Sequence, residues 1–107
     1  MALLDLTTEH DLDAALRAPA AVLLKHGASC PISAAAREEI TALAGDRPEL
    51  PIYRIEVTGR RALSDAAADR LGVAHESPQA FVLRDGCVVW YAEHFDITSD
   101  AVIAQLG

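Results

Sequence analysis

Apolar residues recur along this chain with two different periods, and the switches between them mark its elements. Leu3 to Leu6 reads as a short edge strand. Thr8 followed by Asp11 is a capping-box pair opening a helix, with Leu12, Ala15 and Leu16 on its apolar side. Ala20 to Lys25 is a short apolar run, the mark of a strand buried on both faces of a parallel sheet. A second helix starts near Ser29 to Pro31, has its body from Ile32 to Leu43, and meets its stop at Gly45, Asp46 and Pro48. Pro51 to Val57 alternates as a strand, Ile52, Arg54 and Glu56 against Tyr53, Ile55 and Val57. Ser64 is the expected cap of a third helix running through Leu71, and Gly72 stands where a left-handed C-terminal cap belongs. Ala80 to Arg84 and Cys87 to Phe95 are strands joined by Asp85-Gly86, a strong hairpin signal. Thr98 caps a final helix ending at Leu106.

The order β-α-β-α-β-α-β-β-α predicts an α/β fold, a central mixed sheet with helices on both faces. The 107 residues, 51% apolar, suit a single domain over 1–107; a chain of this size buries roughly 65% of its unfolded surface. Nine basic against 16 acidic side chains leave a formal charge of -7, and Lys25 is the one lysine. An acidic chain without a basic run is unsuited to counterion-driven binding of nucleic acid or anionic membrane. The longest apolar run, Ala18 to Leu24, is far short of the ~20 residues that span a bilayer. With no signal-peptide pattern at the start and only Cys30 and Cys87 as cysteines, the expected compartment is the cytoplasm.

Candidate chemistry gathers in Lys25-His26-Gly27-Ala28-Ser29-Cys30-Pro31-Ile32-Ser33. A buried strand runs into a short loop, and a cysteine stands at the opening of the next helix with proline at a first helical position. Unpaired backbone N–H groups and the positive end of the helix dipole then face the sulfur. A helix N-terminus is worth about 0.3–1 kcal/mol to a thiolate, and about 2 in the best geometry; anything further needs nearby donors or cations. Ser29 and Ser33 are candidate donors, Lys25 and His26 candidate cations. The alternative, a small buried packing cysteine, is the commoner fate of a lone thiol, but the strand–loop–Cys-Pro–helix context favours a reactive one. No pair of histidines has metal-ligand spacing and no Cys-x-x-Cys occurs, so no metal site is expected. His10 reads as solvated, His94 as structural, Trp90 as packing, and His26 and His75 as flanking the functional loops.

A second feature is Glu76-Ser77-Pro78-Gln79 just ahead of the strand from Ala80. Proline is tolerated at a strand's first residue, and a cis Ser77–Pro78 bond is the sharper reading. The element order, the cysteine opening the second helix and the proline before the final hairpin together resemble the thioredoxin fold over nearly the whole chain. Ser29-Cys30-Pro31-Ile32-Ser33, His75-Glu76-Ser77-Pro78-Gln79, Arg84-Asp85-Gly86, Trp90 and His94-Phe95-Asp96-Ile97-Thr98 narrow the resemblance to the monothiol bacilliredoxins. Their motif is Thr-Cys-Pro-Ile-Ser; Ser29 here keeps the hydroxyl and loses a methyl.

The resemblance implies thiol–disulfide exchange. Cys30 would take bacillithiol from S-bacillithiolated client proteins and be freed by bacillithiol, a co-substrate with sugar and malate parts, with no tightly bound cofactor. Ser29, Pro31, Ile32, Ser33, Ser77, Pro78 and Gln79 are the candidate groove and thiolate-stabilising residues, with the Ser77 backbone pairing to a substrate chain. Ser33 stands where a dithiol enzyme would carry its second cysteine. In a thioredoxin-like layout Cys87 lies at the far end of the sheet and is structural. Three other readings compete: a monothiol glutaredoxin-like carrier of an iron–sulfur cluster with glutathione, a non-catalytic thioredoxin-like module binding extended peptide, and a target or sensor of bacillithiolation in place of a catalyst. The first would carry Cys-Gly-Phe-Ser, which is absent here.

Overall fold

The computed structural model describes residues 3–106. Along the chain come β1 (Leu3–Asp5), α1 (Glu9–Leu16), β2 (Ala20–His26), α2 (Pro31–Asp46), β3 (Ile52–Glu56), α3 (Arg61–Leu71), β4 (Gln79–Arg84), β5 (Cys87–Glu93), a 3-10 turn (His94–Asp96) and α4 (Ser99–Leu106). The strands form one sheet in the order β1-β3-β2-β4-β5. β3 runs parallel to both β1 and β2, whereas β4 is antiparallel to β2 and β5 to β4. This is the mixed α/β sheet that the element order predicts.

β2 sits at the centre because it can be buried on both sides. Its alternating side chains feed two cores. Val22 and Leu24 pack with Ala36, Ile40 and Leu43 of α2 and Val102 of α4. Leu23 packs with Leu12 and Ala15 of α1, Leu63 and Ala67 of α3, and Phe81 of β4. Each fully buried Leu or Ile contributes roughly 1.5–3 kcal/mol. Helices therefore cover both faces, α2 and α4 on one, α1 and α3 on the other.

Several local readings hold in detail. Thr8 and Asp11 make a reciprocal capping box, and the Thr98 hydroxyl accepts the Ala101 N–H at 3.1 Å. Gly72 caps α3 at φ 72°. Asp85 and Gly86 turn the hairpin at φ 52° and 80°, and a Cβ on Gly86 would come within 2.7 Å of the Leu16 carbonyl oxygen.

Others need correction. α2 continues through Gly45 and Asp46 and stops at Arg47, just ahead of Pro48; a single glycine costs a helix only about 1 kcal/mol. Ser64 does not cap α3. Its N–H already donates to the Arg60 carbonyl, one turn inside a helix that begins at Arg61. The last strand ends at Glu93, because His94 takes φ 55° and starts the 3-10 turn. β1 ends at Asp5, with Leu6 buried beyond it.

Candidate active site

β2 delivers the chain to its C-terminal end, and a tight loop carries it into α2. Cys30 occupies the cap position, with extended backbone (φ -91°, ψ 125°), and Pro31 is the first helical residue. The Ser33 hydroxyl turns back to accept the Gly27 N–H at 2.9 Å, which folds the loop. Gly27 sits among the site residues: a Cβ there would lie at ordinary contact distance, 3.7 Å, from Cys30 Cβ, Ser33 Oγ and Thr58 Oγ1 alike. From the other side Glu56, at the end of β3, accepts the N–H groups of Ala28 at 3.1 Å, Thr58 at 2.9 Å and Gly59 at 2.8 Å. Desolvation works to raise the Glu56 pKa, but the combined donors from Gly59, Thr58 and Ala28 outweigh it and hold the carboxyl at about 2. It is a permanent anion whose charge is spent on the loop.

The Cys30 thiol is half-buried and its pKa is lowered. The Ser33 N–H contributes most, followed by that of Ile32; burial opposes them, and the Ser33 hydroxyl and the Arg37 charge add to the lowering. Neither amide closes a geometrically complete capping bond to the sulfur; they act as oriented dipoles at the helix start. Ser33 thus serves twice, through its backbone and its hydroxyl, whereas Ser29 and Pro31 are exposed and Ile32 is half-buried.

Neither expected cation plays that part. Lys25 leaves β2 on the α1/α3 face, fully buried, with Nζ donating to the Ser64 carbonyl at 3.0 Å and 5.9 Å from the centre of the Phe81 ring. Burial lowers its pKa to about 8 against the opposing pull of Asp65. His26 leaves on the α2 face, but Arg37 Nη1 lies 3.2 Å from its Nδ1. A guanidinium can only donate, so Nδ1 must accept and the ring is neutral; burial, then the Arg37 charge, lowers its pKa. Arg37 is the cation at this site. It also donates to the Gly27 carbonyl at 2.9 Å.

Just ahead of β4 the Ser77–Pro78 bond is cis and Pro78 is buried. The register pairing Lys25 with Gln79 brings Pro78 level with His26, beside the cysteine loop. Gln79 does not line a groove. It is fully buried with Nε2 donating to the Ala74 carbonyl at 3.1 Å and to Glu93 Oε2 at 2.9 Å, which ties the loop before Pro78 to β5. The Ser77 N–H meets Glu76 Oε1 at 3.2 Å, and His94 Nε2 approaches the same oxygen at 3.4 Å. His75 Nδ1 bonds the Ser64 hydroxyl at 2.9 Å. Among the described residues no group of three His, Cys, Asp or Glu side chains could hold a metal ion.

Residues 4–102 match the family described as monothiol bacilliredoxin BrxC. The chain belongs to that family. A solved structure described as a candidate oxidoreductase with a thioredoxin fold is 30% identical, covers 98% of this chain and 94% of its own, and superimposes with a TM-score of 0.93. Thioredoxin O2 from Arabidopsis thaliana in its oxidized state is 20% identical (98% of this chain, 94% of its own, TM-score 0.79). Mitochondrial thioredoxin 3 from Saccharomyces cerevisiae, oxidized form, is 12% identical (95% and 91%, TM-score 0.75). The last two show the thioredoxin fold alone. Family and fold make this bacilliredoxin a thiol–disulfide oxidoreductase.

The geometry of this bacilliredoxin also separates its two thiols. Cys87 pairs with Arg84, which pairs with Ala20, so it stands by the opposite end of β2 from the Cys30 loop. At about 3.3 Å per residue the length of β2 is roughly 20 Å, against the ~7 Å that a disulfide allows between Cα atoms. Cys87 is exposed and cannot resolve Cys30 within the chain. Arg37 and Glu56 were not among the expected site residues. Arg37 lies two helical turns after Cys30, a spacing that puts both on one side of α2; Glu56 acts on backbone amides distant in sequence and leaves no local pattern.

Proposed function

We propose that the protein removes bacillithiol from S-bacillithiolated client proteins by monothiol exchange through Cys30. The observation that carries this reading is a thiol at the head of α2, its pKa lowered by the Ser33 and Ile32 amides, with Ser33 and not a second cysteine one turn along. The Cys30 thiolate attacks the bacillithiol sulfur of the mixed disulfide. The client–bacillithiol S–S bond breaks, a Cys30–bacillithiol S–S bond forms, and the client sulfur leaves as a thiolate that takes a proton from solvent. A second bacillithiol, as thiolate, attacks the bacillithiol sulfur on Cys30. Cys30 thiolate is released with bacillithiol disulfide; the second bacillithiol is the thiol oxidised, the first being already at the disulfide level, and the client sulfur is reduced to its thiol. Bacillithiol is a co-substrate here, not a resident cofactor. The lowered pKa raises the fraction of Cys30 present as thiolate near neutral pH, and exchange rate follows that fraction.

The clients in this reading are cytoplasmic proteins carrying the modification. Incubation with a bacillithiolated client, followed by mass spectrometry, should show the bacillithiol adduct on Cys30 as client thiol appears, and no transfer with Cys30→Ala. Client release by wild-type protein without an adduct on Cys30 would refute the monothiol route.

A further inference from the structure

Beyond the cysteine loop, at the carboxyl ends of the parallel strands β1, β3 and β2, lies a cavity of about 420 Å³ lined by Asp5, Leu6, Thr7, His26, Arg54, Glu56, Gly59 and Arg60. The carboxyl ends of parallel strands are where open α/β sheets take ligands. The walls carry both signs of charge, but their hydrogen-bonding capacity is uneven. Glu56 is spent on three loop amides. Asp5 is held bidentately by Arg54, Nε to Oδ1 at 2.9 Å and Nη2 to Oδ2 at 3.1 Å.

The donors are not spent. Arg60 is exposed and its guanidinium makes no hydrogen bond or ion pair among the described residues, and Arg54 retains Nη1. His26 is only 7% exposed. With Nδ1 committed to accepting from Arg37, its proton must sit on Nε2, and Nε2 is buried with no partner among the described residues. A buried donor left unpaired costs roughly 1–3 kcal/mol, which a ligand oxygen would recover. Asp5 and Glu56 keep acceptor lone pairs, but the buried, unpartnered group of this lining is a donor, His26 Nε2, and guanidinium groups match carboxylate geometry. The cavity also borders the thiol loop: Glu56 holds Ala28, and Gly27, next to His26, packs against Cys30.

We propose that this cavity binds a carboxylate of the small thiol that resolves the Cys30 mixed disulfide, with Arg60 and His26 as its specificity-determining residues. The inference rests on the bacillithiol reading, whose malate part supplies the carboxylates. Arg60→Gln and the charge reversal Arg60→Glu, both at an exposed position, should raise KM for bacillithiol about tenfold or more, as for a lost charge-assisted bond. kcat should move far less, and the ratio of resolution rate with bacillithiol to that with mercaptoethanol should fall.

Free malate titrated into wild-type protein should shift the His26 ring resonances, and the shift should be lost in Arg60→Glu. Inorganic phosphate is the control oxyanion; tighter binding of phosphate than of malate would overturn the carboxylate assignment. An unchanged KM in both variants, or no His26 response to malate, would overturn the site. If wild-type Cys30 accepts no bacillithiol at all, the functional reading falls instead, while the malate titration still judges the cavity.

Discussion

Lys25 and His26 are neighbours in β2, and they inhabit opposite halves of the molecule. Lys25 is a cation sealed under α3, with a backbone carbonyl and an aromatic ring for company. His26 is a neutral ring under α2, fixed in one tautomer by Arg37 and adjoining the thiol loop. Strand alternation alone dictates that they part. Only one of them could share a face with the helix that Cys30 heads, and that one is held uncharged. The positive charge near the thiol comes instead from Arg37, a residue of α2 itself. Polarity on the α2 side tunes the loop; polarity on the α3 side braces the segment before Pro78 through Ser64, His75 and Gln79.

The largest effect should come from breaking the α2 side. Arg37→Leu leaves His26 Nδ1 and the Gly27 carbonyl without their donor, and should cost about 2 kcal/mol in denaturant unfolding. It should also move the pH midpoint of Cys30 alkylation upward, modestly, because the Ser33 and Ile32 amides remain. Next is Lys25→Met, which keeps the buried stem and removes the charge; replacement of buried ions by apolar groups is often stabilising, here by about 1 kcal/mol at neutral pH. Its alkylation profile should match wild type. A shifted profile would mean that the two halves are electrostatically linked after all.

The same pair of proteins sharpens the comparison by pH. The folded Lys25 pKa of about 8 lies below its ordinary 10.5, so between these values the unfolded chain holds a proton that the folded chain has released. Wild-type stability should therefore gain on Lys25→Met as pH rises through that window, with the penalty fully present below about 8. Chemical denaturation of both proteins at intervals from pH 7 to about 10.5 reads the difference. At the acid end Glu56 behaves oppositely. Its depressed pKa contributes stability present above about 4.5 and lost as pH falls through about 2; Glu56→Gln should flatten that limb. The smallest effect is Ser64→Ala, which removes the bond to His75 at about 1 kcal/mol and should leave alkylation of Cys30 untouched.

Where signals were local, the sequence was a good guide. Asp85-Gly86, Gly72, Thr8 with Asp11, and the Cys30-Pro31 helix start each depend on a few adjacent residues, and each stands in the structure as read. The mixed sheet and its two-faced cover followed from element order. What escaped was carried by contacts between distant segments. Ser64 looked like a cap because serine usually competes with helix amides, but its hydroxyl is engaged by His75 and its N–H by Arg60. Lys25 and His26 looked equivalent because both precede Cys30, and the face each takes is invisible in a bare count of residues. Gln79 read as groove lining, yet it sits at a position paired with Lys25 and is buried for the same reason.

The burial of Lys25 reaches past the site. It is the one lysine, and it is completely enclosed. The outer surface therefore carries its cationic charge on guanidinium groups and offers no side-chain amine. Acetylation, ubiquitin-type conjugation and succinimidyl-ester labelling find no lysine on the folded molecule. An amine reagent that does mark Lys25 has caught the chain open, so the extent of labelling becomes a direct counter of unfolding events.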